Sequence, residues 1–379
     1  MFKNNPLQFL TLIILIYLSA CTKKSYLPDK ELSEKQASSL STDKYGSNKI
    51  KKNKYKLSNR QVLNWSNIKS HNQYFPDGGI TRFKVGNKWR FTMSGSTSYI
   101  YEGENIWPEN ASIKISEAFG QQQYNCNPDN GGKWLNNIEQ LEDENNLVGF
   151  YHVEDHWCKE QGAYDTRYWA SIGVVYSNDG GKIFKSLEDS RNEGYIIKSS
   201  KPKPVNKTFG GAGNGHVFKA QDGNWYAIYS EYEASANNYV LHIARSTNYY
   251  ASPGTWKKYY KGSFRTNALH TNGLKTALKS NNGFLLGANP FVQWNHKISK
   301  YVMVYHKWGG TIRCATSPDL IHWGSDKELL GGDAYYEYPS LMSPEEGNTT
   351  ANYTRLYYSR KASKESTQRN FEVQTLNVW

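Results

Sequence analysis

Ser177-Asn178-Asp179-Gly180-Gly181-Lys182-Ile183-Phe184 reads as a tight turn. Its Ser and Asp oxygens can cap backbone N–H groups, its glycines admit positive φ, and its closing aromatic can pack between sheets. Two later stretches share the plan: Arg245-Ser246-Thr247-Asn248 leading to Trp256, and Ser317-Pro318-Asp319-Leu320-Ile321-His322-Trp323. The closing aromatics Phe184, Trp256 and Trp323 fall about seventy residues apart. Around these turns stand Tyr-rich apolar strands: Lys88–Ser94, Leu147–Val153, Asn224–Ser230, Lys300–His306 and Thr354–Arg360. Each reads as the second strand of a unit, and in the middle units a third strand follows and runs into the Ser-led turn. One small antiparallel sheet in every 50–75 residues or so is the period of a propeller blade. The sequence therefore predicts an all-β fold over residues 71–379, a five-bladed β-propeller of four-stranded antiparallel blades. Asn370–Trp379 is expected as a strand that completes the first or last sheet. Helical periodicity is nearly absent, which disfavours a parallel α/β fold and leaves a β-sandwich as the rival.

Composition agrees. The 29 Tyr, 12 Trp and 31 Gly suit short, half-buried strands joined by tight turns. The net charge of +12 suggests a polyanion partner until it is located. Residues 22–70 hold twelve Lys or Arg against four Asp or Glu, and from His71 onward the excess is only three. The basic charge thus belongs to a Lys-, Ser- and Asn-rich tether, and a nucleic-acid partner is not expected. Ahead of the tether, Lys3 precedes an apolar run from Leu7 to Leu18 that is too short to span a bilayer. Leu18-Ser19-Ala20-Cys21 follows and resembles the lipobox of bacterial lipoprotein precursors. The resemblance implies a signal peptide over 1–20, lipid on Cys21, a flexible linker over 21–70 and an outer-membrane address. An exported chain meets oxidising conditions, so Cys126 and Cys158 are expected to form a disulfide, with Cys314 a buried thiol. A monomer is favoured.

The turn at 177–184 resembles the Asp-box of sialidase-type propellers. The turn at 317–323 is similar to that of five-bladed hydrolases in glycoside hydrolase families 43 and 32. The resemblance, carried by short motifs over roughly residues 72–379, implies carbohydrate chemistry. Family 43 enzymes place a general base at the start of the first inner strand, and this implies such a role for Asp77. The family usually has Asp-Pro there, whereas this chain has Pro76-Asp77-Gly78.

Glycoside cleavage needs one carboxylate to activate water or attack carbon and one acid to protonate the leaving oxygen. Asp77, Glu154, Asp155 and Glu231 are the candidates, with Glu231 or Glu154 as the acid. In His152-Val153-Glu154-Asp155-His156, alternate residues of a strand would place His152, Glu154 and His156 on one face and Asp155 on the other. That face would suit a divalent metal or the hydroxyls of a sugar, and no cofactor is required. His216 follows the glycine run 210–215, and His306, Glu337, Tyr338 and Arg360 end later strands. Trp157, Tyr232 and Trp308 offer flat faces on which a sugar ring can stack. Three functions remain open: a glycoside hydrolase, a polysaccharide lyase using His and Tyr on a uronate glycan, and a glycan-binding lipoprotein without catalysis.

Overall fold

The computed structural model describes residues 55–65, 75–95, 97–119, 130–158, 164–186, 194–206, 208–345, 349–350 and 353–379. Cys21, the expected signal peptide and Cys126 lie outside them, as therefore does the expected disulfide. Cys314 is a buried free thiol, as expected.

The described chain is almost entirely strand, in antiparallel sheets that follow one another. Strand β1 (Tyr55–Val62) comes first among the described residues. The first sheet is β2 (Arg82–Val85), β3 (Lys88–Ser94), β4 (Ser98–Gly103) and β5 (Ala111–Glu117). The second is β6 (Gly132–Gln140), β7 (Leu147–Cys158), β8 (Tyr164–Ser177) and β9 (Tyr195–Ile197). The third is β10 (Gly210–Lys219), β11 (Trp225–Glu233), β12 (Asn238–Ser246), β13 (Lys257–Tyr260) and β14 (Ser263–Asn267). A ribbon, β15 (Lys279–Ser280) with β16 (Gly283–Phe284), leads to the fourth sheet. That sheet has β17 (Ala288–Asn295), β18 (Lys300–Lys307) and β19 (Thr311–Ser317), then β20 (His322–Trp323) against the ribbon and β21 (Lys327–Leu330). The fifth comprises β22 (Tyr335–Met342), β24 (Thr354–Lys361) and β25 (Asn370–Val378), with β23 (Thr349–Thr350) reaching back to β17. The third and fourth sheets each carry a fifth strand, and a short parallel contact between Gly210–Gly211 and Trp169–Ala170 merges the second and third.

A polar side chain in each junction ties neighbouring inner strands together. Thr81 Oγ1 donates to Asn137 Oδ1 (2.9 Å), and Asn137 Nδ2 donates to the Val217 carbonyl (2.7 Å). The Val292 N–H donates to His216 Nδ1 (3.2 Å), and Gln293 Nε2 to the Leu341 carbonyl (3.0 Å). The Ile80 N–H then donates to Ser340 Oγ (2.8 Å), returning from the fifth sheet to the first. The cycle closes. Five apolar clusters match these junctions: Ile100 with Leu135 and Tyr151, Phe150 with Trp225, Ile228 with Met303, Val304 with Leu356, and Phe91 with Tyr357. A two-layer sandwich would have one core between its layers, so the rival architecture is excluded.

The three turns are built as their residues require. Asp179 Oδ1 accepts from the N–H groups of Lys182 and Ile183, and Ser177 Oγ accepts from that of Gly181. Asp319 Oδ1 caps Ile321 and His322, and Asn248 Oδ1 caps Tyr250 and Ser252. Phe184, Trp256 and Trp323 are buried beneath them.

One boundary moves. Tyr55–Val62, inside the expected tether, is a strand paired antiparallel with β25, so the fifth sheet takes its outer strand from the N-terminal side. Arg60 is ion-paired with Glu372, whose side chain is fully buried (2.9 Å). Lys and Asn at this exposed edge conceal the strand in the sequence, since an edge strand carries polar residues on its solvent side.

Candidate active site

The inner strands of four sheets share an irregularity at one end. Each shifts register there: β6 between Leu135 and Asn137, β10 between Gly213 and His216, β17 between Ala288 and Phe291, and β22 between Glu337 and Ser340. Such bulges re-aim side chains. Asn214, Asn289 and Tyr338 have φ of 47°, 49° and 52°, a region non-glycine residues seldom occupy. All three line one cavity of about 180 Å³. Asp77, His152, Glu154, His306, Trp308 and Glu337 line it too.

On one side of the cavity Glu154 is held by two imidazoles. His152 Nε2 lies 3.3 Å from its Oε1 and His156 Nε2 lies 3.1 Å from its Oε2. The Asn214 N–H donates to His152 Nδ1 (3.1 Å), so the hydrogen-bond network assigns the His152 proton to Nε2, facing the carboxylate. Burial opposes the charge on Glu154, but the hydrogen bonds from His152 and His156 outweigh it, and its pKa lies below the usual glutamate value. Two glycines make room for these rings. A Cβ on Gly213 would lie 2.6 Å from His152 Nδ1, and one on Gly131 would lie 2.0 Å from His156.

On the other side Asp77 accepts a hydrogen bond from Tyr338 Oη (2.9 Å) and pairs with Arg369 (2.9 Å). Burial nevertheless dominates, and with the charges of Glu337 and Glu154 it raises the Asp77 pKa against the pull of Arg369 and Tyr338. Glu337 pairs with Lys361 (3.2 Å) and approaches Arg369 (3.7 Å). Between these groups, both amide atoms of Asn136 and the Nε2 of His306 are buried without a hydrogen-bond partner among the described residues. Burial and the charge of Lys361 lower the His306 pKa to about 4, so this ring is neutral at physiological pH.

The site thus gathers Asp77, Glu154, His152, His306, Glu337 and Tyr338, with His156 supporting from behind. It does not gather the other candidates. Asp155 points away and pairs with Lys203 (2.7 Å), whose ammonium also lies over the Trp157 ring. Glu231 is buried with Ser199, Ser200, Lys258 and Lys275, off the cavity. His216 is stacked between Phe218 and Phe291, where it serves a sheet junction. Tyr232 bonds Asn237 at a hairpin end, and Arg360 pairs with Asp333 at an edge. His152, Glu154 and His156 do share a face, but both Nε2 atoms are directed at the carboxylate. Among the described residues no group of three or more His, Cys, Asp or Glu is arranged to hold a metal.

Sequence reasoning missed Asn136, Tyr168, Asn289, Lys361 and Arg369, and pointed to Asn214 only as part of the cluster Gly213-Asn214-Gly215-His216. Arg369 stands just before the last strand and reaches Asp77 only because the ring closes. The asparagines carried a faint signal, each standing beside a Gly, a Pro or a second Asn.

The chain matches no protein-family model, and no curated protein matches it. Among solved structures it is similar to a thermostable family-43 glycoside hydrolase: 12% identity over 79% of this chain and 88% of that one, TM-score 0.46. An endo-arabinase from Bacteroides thetaiotaomicron gives 11% identity over 79% and 93%, TM-score 0.47. An α-L-arabinanase from Penicillium chrysogenum, solved with arabinobiose, gives 12% over 81% and 78%, TM-score 0.47. At such identities no residue of theirs assigns a role to a residue here.

Proposed function

We propose that this protein is a glycoside hydrolase acting on an oligo- or polysaccharide, with its reaction centre between Asp77 and Glu154. One observation carries the reading: of the three carboxyl groups that line the cavity, Asp77 and Glu154 have surroundings that push their pKa values in opposite directions. Glu154, kept ionised by His152 and His156, is the base. It takes a proton from water, whose oxygen attacks the anomeric carbon. The glycosidic C–O bond breaks, and the leaving oxygen takes its proton from Asp77. This reverses the role expected for Asp77 as the base. The cavity, about 180 Å³, has room for a water beside the scissile bond. The unpartnered Asn136 amide and His306 Nε2 supply hydrogen-bonding groups for sugar hydroxyls.

The lyase reading is less well supported. Burial and neighbouring carboxylates push the Tyr338 and Tyr168 hydroxyls up, which disfavours the phenolate a base would need. Arg369 and Lys361, which would neutralise a uronate, already pair with Asp77 and Glu337.

The test compares D77N and E154Q on ordinary glycosides and on aryl glycosides with a good leaving group. D77N is expected to recover turnover on the activated substrates, because the acid is then dispensable, and E154Q is not. Full activity in either variant, or recovery by E154Q alone, would sink the assignment. We further propose that lipid on Cys21 anchors the protein to the outer membrane. C21S should then release it to the soluble fraction and abolish labelling by radioactive palmitate.

A further inference from the structure

Beside the cavity lies a second recess of about 290 Å³, which shares Tyr168, Asn214 and Trp308 with it. Its floor is made of Ala170, Gly210, Gly211 and Gly213, so the backbone comes close to whatever enters. Two aromatic pairs form its walls. Tyr168 meets Phe209 edge-on at 5.3 Å, and Tyr239 meets Trp308 edge-on at 6.2 Å. Tyr239 Oη donates to the Phe209 carbonyl (2.8 Å), tying one wall to the other. Phe209 and Trp308 are nonetheless 55% and 40% exposed, large for aromatic side chains held in place by neighbours. The Ser230 hydroxyl, on a residue only 4% exposed, lines the recess and has no partner among the described residues. Among the described residues that line it there is no Asp, Glu, Lys, Arg or His.

We infer that this recess is a binding subsite for an uncharged sugar ring, the unit next to the one cleaved at Asp77 and Glu154. A sugar ring has one face of C–H groups and a rim of hydroxyls. The aromatic walls fit the face, and Ser230 Oγ, Asn214 and Asn238 fit the rim. A uronate or sulfated ring would bring a charge into a recess with no counter-charge, at the cost of its hydration. Continuity with the cavity through Tyr168 and Trp308 fixes the occupant as part of the same chain. The substrate is accordingly a neutral glycan bound through at least two units. This inference rests on the hydrolase reading for the position of cleavage, but the subsite itself is a statement about binding.

The experiment uses the full chain carrying D77N and follows tryptophan fluorescence during titration. The probes are arabino-, xylo- and galacto-oligosaccharides of one to three units, with oligogalacturonides as the charged set. In at least one neutral series the disaccharide is expected to bind about tenfold or more tighter than the monosaccharide, a step of about 1.4 kcal/mol. F209A, a change at an exposed side chain, should remove that step and leave monosaccharide affinity as it was. With Asp77 restored, F209A should raise KM for oligosaccharides by a larger factor than it lowers kcat. Equal affinity for one and two units in every neutral series, a step that survives F209A, or tighter binding of the oligogalacturonides would each overturn the subsite. If the native protein turns over no glycan while the F209-dependent step persists, the hydrolase reading falls and the subsite stands.

Discussion

Four of the five inner strands, β2, β6, β17 and β22, line another, larger cavity farther along their length, and the two ends of these strands differ instructively. The far cavity, about 300 Å³, is lined by Ile80–Lys84, Asn137–Gln140, Phe291, Gln293 and Leu341–Met342. Its strands are regular, with no positive φ at those positions. It contains one carboxyl group, Glu139, whose pKa burial raises to about 7 against the pull of Asn137 and Lys219. The near cavity is smaller, yet three non-glycine residues there hold left-handed backbone, and two of its three carboxyls, Asp77 and Glu154, have opposite tendencies. Each such residue costs on the order of 1 kcal/mol or more, and residues of this kind cluster where geometry serves function. Strain and paired acids, rather than volume, mark the working end.

Exchanging one acid at each end breaks the comparison most sharply. E154Q should lower turnover by about a thousandfold, the scale of lost general-base catalysis. E139Q should leave turnover within about twofold, since it touches the regular end and no reacting group. Initial rates on a neutral glycan, with circular dichroism as the control for folding, decide this. The pH profile sharpens it further. Glu154 must be ionised, so activity rises as pH climbs through its depressed pKa. Asp77 must be protonated, so activity falls as pH passes its raised one. Replacing His152 with Gln removes a cause of the Glu154 depression and should move the acidic limb to higher pH.

Next in size is G213A, which places a methyl group where the His152 ring stands. Turnover should fall about a hundredfold through displaced geometry. Third, N137L cuts a side chain that serves two junctions. It should destabilise the fold by about 2 kcal/mol in urea unfolding, because both partners are left buried and unpaired. Smallest is the effect of E139Q on stability. A carboxyl whose folded pKa is raised favours folding below its unfolded pKa, and that contribution disappears as pH rises through about 7. E139Q should therefore gain about 1 kcal/mol over the native chain at pH 8 and little at pH 5.

Much of the fold was legible because strands with one buried face must alternate and tight turns need particular residues. Lys88–Ser94 was placed to the residue, and Leu147, Lys300 and Thr354 open their strands as expected. The site was legible wherever its chemistry sits within a strand, as in His152 to His156. It was obscured where one residue changes the face. Ser230 lines the recess and Glu231 does not, and Lys361 pairs with Glu337 while Arg360 faces an edge. Bulges shift that parity and are silent in hydrophobic pattern, which is why Asn136 and Asn289 were passed over. Arg369 needed the closed ring, a contact between residues almost three hundred positions apart.

That closure also sets a schedule. Strand β1 pairs with β25, and Arg60 waits on Glu372, 312 positions later. A ribosome delivering this chain from its N-terminus releases β1 well before its partner. Four sheets can form as they emerge, but the seam is sewn only when β25 has followed them. Until then β1 and the edge of the last sheet stand open to any other strand they meet.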